Sequence, residues 1–199
     1  MRPIRALVCA VTLLGAAGPA RGQETQETVV TLDPAKTTVQ FTLGATAHTV
    51  HGTFHVLTGR IHFDVTTGKA GGEIAVDARS GDTENSGRDK KMHQEVLLSE
   101  KYTEIVFVPS RVQGVLPQRG ASQMQVTGTM RLLRQEHPMT LTFTVQASEG
   151  NGLDLNTAFD VPYVDWGLKN PSNFLLRVDK AVHVEVHAAG EWKTLVSGH

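Results

Sequence analysis

The sequence predicts an all-β domain, either a sandwich or a barrel, built from many short strands. Apolar and polar residues alternate with a period of two along much of the chain, which places the apolar side chains of each strand on one face. Turn-forming clusters separate the alternating stretches, as at Thr67-Gly68, at residues 149–152 and at Asn170-Pro171. One-sided strands separated in this way are typical of antiparallel sandwiches and barrels.

Each predicted strand is defined by its alternating apolar positions. The strands run through Val39 to Leu43, Val50 to Val56, Ile61 to Val65, Ile74 to Val76, Ile105 to Phe107, Val126 to Leu132, Leu141 to Val145, Phe159 to Val161, and Val182 to Val186. Two further glycine-containing pairs inside this series, Thr58-Gly59 and Gly71-Gly72, predict additional turns.

One polar and charged segment, residues 82–100, interrupts the strand pattern. Met92, Val96 and Leu97 are spaced along it for one side of a helix, and Thr83 or Ser86 is a suitable N-cap. The segment therefore predicts a short helix in a long loop between two strands, lying over a barrel edge or mouth.

The N-terminal residues predict export. Arg2 and Arg5 give a basic start, a short apolar run follows, and small residues then lead to a cleavage site after Gly22, with Ala20 as the alternative. We therefore expect residues 1–22 to be a signal peptide, and the mature protein to be periplasmic or secreted.

The composition of residues 23–199 excludes several functions and fits a single domain. The only cysteine, Cys9, leaves with the signal peptide, so a disulfide, a thiolate nucleophile and a cysteine-ligated metal are not expected. Loss of three arginines leaves 16 basic and 20 acidic residues, a net charge of −4, which is unsuited to nucleic acid. No later apolar stretch reaches membrane-spanning length.

Histidines between residues 48 and 62 are the main alternative signal, for a metal site. His51 and His55 share one face of a predicted strand, but at ~3.3 Å per residue their Cα atoms are about 13 Å apart, too far to share an ion easily. A metal site would need partners such as His183 or Glu185 on an adjacent strand, and a structural or metal-binding barrel is the alternative function. No nucleophile elbow or metalloprotease helix is present, so we expect no enzyme.

Several stretches occur together in a familiar order. LDPAKTTVQFTL (Leu32 to Leu43) precedes HTVHGTF and GRIHFD, then SGRDKKMHQEVLLSEKYTEIVF (Ser86 to Phe107) precedes VTGTMRLLRQEHPMTLTFTV (Val126 to Val145). Together they resemble the YceI-like family of exported lipid- or polyisoprenoid-binding proteins. The resemblance covers roughly residues 31–188, nearly all of the predicted single domain at residues 23–199.

The resemblance implies an eight-stranded antiparallel lipocalin-like barrel around an apolar cavity. It also implies a long isoprenoid lipid or a quinone as a hydrophobic small-molecule ligand, with no covalent cofactor. The sequence departs from the family pattern at Thr103, which replaces a usual proline, and at Gln135-Glu136-His137, which replaces a glycine-containing turn. Val161 to Val178 resembles a variant subgroup.

The alternation places a set of large apolar residues on the inner faces of the predicted strands: Phe41, Phe54, Phe63, Ile105, Phe107, Met130, Phe143 and Phe159. An eight-stranded barrel is just wide enough either to fill with side chains or to hold one small ligand. The alternation fits both arrangements. The resemblance favours a ligand cavity lined by these residues.

Polar residues beside the cavity would then fix a head group. Arg88, Asp89 and His93, on the predicted helix, and Tyr102, just before a strand, are the candidates; a solvated helix face or a local ion pair is the alternative for Arg88 and Asp89. Trp166, in an irregular stretch, either closes over the ligand at the mouth or plugs a barrel end. An uncovered strand edge would support a homodimer.

Overall fold

The computed structural model describes residues 25–46 and 48–197, and this part of the chain forms a closed antiparallel β-barrel. Its strands are β1 (Thr25–Leu32), β2 (Thr38–Gly44), β3 (Thr49–Asp64), β4 (Ala70–Asp82), β5 (Glu104–Gln113), β6 (Ala121–Leu132), β7 (Gln135–Ala147), β8 (Gly152–Val161) and β9 (Val182–Ser197). The sheet order is β1-β3-β2-β9-β8-β7-β6-β5-β4, and pairing of β3 with β4 and of β1 with β9 closes it.

The segments β1 and β2 occupy one position in the barrel, so the wall has eight strands, which confirms the predicted fold. β2 pairs with the first parts of β3 and β9, while β1 pairs with their last parts. A single 3-10 turn, Pro34–Lys36, separates β1 from β2. Pro34 has no N–H to donate to a ladder, and the Asp33 carboxylate accepts a hydrogen bond from the backbone N–H of Ala35 at 3.0 Å.

Strand β1 is not among the strands that the alternation predicts. Three consecutive residues in it, Thr28, Val29 and Val30, are all buried. A strand that buries both of its faces loses the period-two pattern, so its sequence carries little of the usual signal.

β3 is one continuous strand where a turn is predicted at Thr58-Gly59. Its pairing with β4 shifts between Val56 and Thr58, as in a β-bulge. Before the bulge, even-numbered residues such as Val56 line the barrel interior. After it, odd-numbered residues such as Ile61 do, and the chain does not reverse. The predicted turn is wrong because a change of phase within one strand resembles two short strands in the sequence.

The predicted turn at Gly71-Gly72 is also wrong, because both glycines lie inside β4. Gly72 has a φ of 92°, and a Cβ there would stand 2.2 Å from the carbonyl oxygen of Arg60 on β3. Gly72 therefore permits a close approach of two backbones instead of a chain reversal. The reversal occurs before it, where Gly68, at a φ of 72°, donates its N–H to the Asp64 carbonyl at 2.8 Å.

The predicted short helix is present as α1, Ser86–Lys91, followed by one π-helical turn at Met92–Val96. Its N-cap is Asn85, whose side-chain oxygen accepts a hydrogen bond from the backbone N–H of Arg88 at 3.0 Å. The two predicted caps are thus wrong. Thr83 is buried at the end of the preceding strand, and Ser86 is already helical.

The turn between β6 and β7 consists of Leu133 and Arg134, with φ values of 51° and 65°. Such a two-residue turn with positive φ at both positions matches the twist of the flanking strands. Residues 135–137, predicted to replace a turn, already belong to β7, where His137 pairs with Met130.

Alternate connections of an up-and-down barrel lie at the same end. The upper end carries residues 45–46 and 48, 83–103, 133–134 and 162–181, which include α1 and the long connection between β8 and β9. The lower end carries residues 65–69, 114–120 and 148–151. The irregular segments predicted from the sequence therefore lie together at the upper end.

The predicted signal peptide, residues 1–22, lies outside the described residues, as do both predicted cleavage sites. Within residues 25–46 and 48–197, none of the helices has the length and apolar character needed to cross a bilayer.

Candidate ligand cavity

A cavity of about 590 Å³ occupies the barrel interior. Ten of the thirteen candidate binding residues line it: Phe41, Phe54, Phe63, Arg88, Ile105, Phe107, Met130, Phe143, Phe159 and Trp166. Valine, leucine and isoleucine from the strands provide most of the remaining wall. A volume of this size lies within the range of about 300–1,000 Å³ that is usual for small-molecule sites.

Paired aromatic rings form part of the wall. The rings of Phe41 and Phe54 have centroids 5.3 Å apart and are tilted by 36°. Gly52 makes room for this pair, because a Cβ at that position would come within 2.3 Å of the Phe41 ring. The ring of Phe41 therefore lies across β3 at a position where the opposite strand has no side chain.

Two clusters of buried apolar residues lie in the barrel, and the larger one includes most of the lower half. This larger cluster joins Val30, Phe63, Val112, Met124 and Val145, together with others, and Leu116 from a lower connection packs against it. A second, smaller cluster closes part of the upper end: Leu97, Leu132, Val161, Tyr163 and Leu168. The hydroxyl of Tyr163 donates to the Asp179 carbonyl at 2.7 Å, and burial raises the pKa of this phenol.

The mouth of the cavity lies at the upper end. His48 and Asn85 line the cavity and are also exposed to solvent, whereas Arg88 and Lys91 line it from α1 and are half-buried. All four belong to upper connections or to α1. An otherwise apolar cavity thus has its hydrogen-bonding and cationic groups concentrated at the opening.

Arg88 and Asp89 hold the end of β4 through the buried residue Thr83. The guanidinium of Arg88 donates to the hydroxyl oxygen of Thr83 at 2.8 Å and to its carbonyl at 2.7 Å. The Asp89 carboxylate accepts from the Thr83 N–H at 3.0 Å and from its hydroxyl. These contacts fix α1 over the mouth, so the alternative of a solvated helix face does not describe these two side chains.

His93 also anchors the segment after α1. Its Nε2 lies 2.8 Å from the carbonyl of Gly81, which can only accept, so this nitrogen carries the proton. Its Nδ1 lies 2.9 Å from the hydroxyl of the buried Ser99. Both ring nitrogens are thus engaged within the protein, and His93 does not line the cavity.

Tyr102, like Asp89 and His93, is a predicted binding residue that does not line the cavity. Its ring lies beneath two cations, with Lys101 Nζ at 5.2 Å and the Arg134 guanidinium carbon at 5.7 Å from the ring centroid. Tyr102 lies just before β5, and the next residue on the chain that lines the cavity is Ile105.

Trp166 lies in the upper connection between β8 and β9 and contacts the cavity. Its indole lines the cavity and packs against both apolar clusters. It also stacks on His137 from the start of β7. The indole therefore closes part of the upper wall while facing the cavity.

The remaining histidines lie mainly on the outer surface and make pairwise contacts. His183 Nδ1 donates to the Asp160 carboxylate at 2.7 Å, and His51 Nδ1 lies 3.2 Å from the Thr42 hydroxyl. The hydrogen bond that His183 donates to Asp160 is the main cause that raises the pKa of His183. Across the described part of the chain, no three histidine, cysteine or acidic side chains are grouped closely enough to hold a metal ion.

Sequence reasoning missed three polar residues at the mouth: His48, Asn85 and Lys91. Lys91 follows Arg88 by three positions on α1, so the helical spacing places both on the same face. This helical spacing could have identified Lys91 from the sequence. No comparable pattern identifies His48, because it lies in an irregular connection between β2 and β3.

A closed antiparallel barrel with a mainly apolar interior and a polar mouth is typical of proteins that bind hydrophobic ligands. The sequence matches the YceI-like domain over residues 30–189, and the chain belongs to this family. Among curated proteins, no sequence matches it.

Solved structures share the fold. A polyisoprenoid binding domain from Saccharophagus degradans, implicated in plant cell wall breakdown, has 16% identity and a TM-score of 0.64, covering 81% of this chain and 97% of that one. BcnA of Burkholderia cenocepacia has 16% identity and a TM-score of 0.62, covering 79% and 98%. A Campylobacter jejuni YCEI protein has 12% identity and a TM-score of 0.52, covering 73% and 82%.

Proposed function

We propose that this protein is an exported carrier or sensor that holds one polyisoprenoid- or quinone-like lipid in the barrel interior and performs no chemistry on it. The observation that carries the proposal is the cavity, which is mainly apolar along the barrel and has its charged groups near its opening; the hydroxyls of the two wall threonines, Thr37 and Thr157, already donate to backbone carbonyls. The polyisoprenoid binding named for the Saccharophagus degradans domain supports this class of ligand.

The cavity volume limits how much of the ligand lies inside. If each carbon occupies about as much room as a water molecule, ~30 Å³, then 590 Å³ accommodates roughly 20 carbons. At about 0.8 kcal/mol for each buried methylene, such a chain has a gross driving force of roughly 16 kcal/mol before the costs of ordering and association. Apolar burial is therefore sufficient for binding without any polar contact.

The polar mouth would orient the ligand. An apolar tail that enters first leaves its head group beside His48, Asn85 and Lys91, which can donate hydrogen bonds to carbonyl, hydroxyl or phosphate oxygens. The reverse orientation would bury a head group among phenylalanine side chains without a partner, at a cost of about 2–7 kcal/mol. The tail therefore points to the lower end.

The test is to identify what the protein carries. Protein isolated under mild conditions is extracted with organic solvent, and the extract is analysed by mass spectrometry against an extract of a barrel whose cavity is obstructed by Val184→Trp. The expected result is an isoprenoid or quinone in near-stoichiometric amount from the native protein only. An extract without lipid, combined with no uptake of added prenyl alcohol, would rule out the carrier.

Export is a separate part of the proposal. It is supported by the basic, apolar and small-residue order of residues 1–22. N-terminal sequencing of the protein recovered outside the cytoplasm is expected to begin at Gln23, or at Arg21 if cleavage follows Ala20. A protein that still begins at Met1 would contradict export by cleavage.

A further inference from the structure

Two large apolar residues are fully or almost fully exposed at the tip of the connection between β8 and β9. Phe174 is 101% exposed and Leu175 is 86% exposed. The other six phenylalanines of the chain all line the cavity. An adjacent pair of large side chains in water forgoes the free energy of apolar burial, so this tip, defined as Phe174-Leu175, is suited to a partner that buries it.

Hydrogen bonds hold the tip in place. The side-chain oxygen of Asn173 accepts from the backbone N–H groups of Leu175 at 2.9 Å and Leu176 at 2.8 Å. The N–H of Asn173 donates to the Leu176 carbonyl at 2.8 Å. Thr46, from the neighbouring upper connection, donates its N–H to the Arg177 carbonyl at 2.9 Å. The two side chains are therefore presented by an ordered turn.

The tip is continuous with the cavity. Pro171 on one side of it and Leu176 and Val178 on the other all line the cavity. The amine of Lys91, which also lines the cavity, donates to the Pro171 carbonyl at 3.2 Å. A surface that covered Phe174-Leu175 would consequently meet the rim of the mouth.

The size and charge of this surface favour a lipid bilayer over a protein. An aromatic side chain buries at most about 250 Å², so two residues fall far short of the ~800 Å² that each partner gives to a typical protein interface. A bilayer needs no complementary shape. Lys169 is paired with the Glu95 carboxylate, but Arg177 and Lys180 on the same connection face one acid, Asp179, and this net positive charge suits anionic head groups.

We propose that Phe174-Leu175 inserts into a lipid surface and sets the mouth of the cavity against it, so that a ligand passes between membrane and barrel. This inference rests on the proposed function, because it assigns the side from which the lipid enters. Val115 provides a matched control, since it is 77% exposed on a connection at the opposite, lower end.

The experiment measures co-sedimentation with vesicles of phosphatidylcholine, with and without phosphatidylglycerol. The chain from residue 23 onward is used, which contains every strand of the barrel, and the double variant Phe174→Ser, Leu175→Ser is compared with Val115→Ser. We expect the double variant to lose roughly tenfold or more of its vesicle partition, because a buried Phe or Leu contributes about that factor. We expect Val115→Ser to bind vesicles as the wild type does. Both proteins should bind more to the vesicles that contain phosphatidylglycerol.

A second measurement separates this inference from the proposed function. Uptake of geranylgeraniol in the absence of vesicles is expected to be the same in all three proteins. If the double variant binds both geranylgeraniol and vesicles as the wild type does, the docking tip is wrong while the carrier stands. If the wild type is a dimer and the double variant is a monomer, the tip contacts a second copy of the chain, and membrane docking by the tip is wrong. If no protein takes up geranylgeraniol, the proposed function fails instead.

Discussion

The imidazole of His137 stacks on the indole of Trp166, with ring centroids 4.1 Å apart and planes 3° from parallel. This contact lies where the barrel wall is thinly paired, because β7 and β8 share only four register positions, Thr144 to Ala147 opposite Leu153 to Asn156. His137 stands in the part of β7 beyond that ladder, and Trp166 follows the end of β8. The stacked pair therefore ties the upper part of β7 to the long upper connection.

One nitrogen of the stack, Nε2 of His137, is buried and has no hydrogen-bond partner among the described residues. His137→Phe would keep a flat ring over Trp166 and remove this unsatisfied group, which typically costs about 1–3 kcal/mol. We expect the free energy of unfolding in urea to be unchanged or higher for His137→Phe, and lower for His137→Ala. If the phenylalanine variant lost as much stability as the alanine variant, the stack would not be what holds this contact.

Trp166 should report ligand entry. The protein contains two tryptophans, and of these Trp166 lines the cavity whereas Trp192 does not. Addition of geranylgeraniol is expected to change the intrinsic fluorescence of the wild type and of Trp192→Phe, but not that of Trp166→Phe. A signal that survives in Trp166→Phe would place the ligand elsewhere.

Phe107 and Leu153 distinguish a cavity wall from a solid core. Both are buried, at 5% and 1% exposure, but only Phe107 lines the cavity. In a solid core, Phe→Ala costs about 3–5 kcal/mol, since a void remains. We expect Phe107→Ala to cost less than that in the lipid-free protein and to lower lipid occupancy. Leu153→Ala should cost about 2–5 kcal/mol and leave occupancy intact. The opposite pattern would indicate a packed barrel.

The pair formed by His183 and Asp160 predicts a pH dependence on the outer surface. Asp160 raises the pKa of His183, chiefly by accepting its hydrogen bond. Because the folded-state pKa lies above the unfolded value, the stabilisation is fully present below the unfolded value and is lost as the pH rises through the folded one. The imidazole resonances of His183 in an NMR titration should show a lower pKa in Asp160→Asn. An unchanged midpoint would mean that the pair does not form in solution.

Most of the barrel could be predicted from the alternation of its residues. The inward faces of Phe41, Phe107 and Phe143 follow from a period of two, and the structure places all three on the cavity wall. Alternation failed where the phase changes within a strand. The bulge after Val56 and the close approach at Gly72 depend on contacts with neighbouring strands, which local sequence does not encode.

The mouth of the cavity was predictable only in part. Arg88 follows from the helical segment, but the exposed His48 depends on how the connections of the upper end converge. The stack of His137 on Trp166 joins residues 29 positions apart in sequence and has no local signature. Cavity volume likewise depends on the closure of the whole barrel, so the residue pattern alone could not distinguish a packed core from an open interior.

The most direct test of the central claim is a titration of lipid-free protein with prenyl alcohols of increasing length: geraniol, farnesol, geranylgeraniol and the much longer solanesol. A cavity for roughly 20 carbons predicts that affinity, measured by calorimetry, rises up to about the length of geranylgeraniol and then levels off, because additional units remain outside the mouth. Absence of binding at every length would contradict the account, as would an affinity that does not depend on chain length.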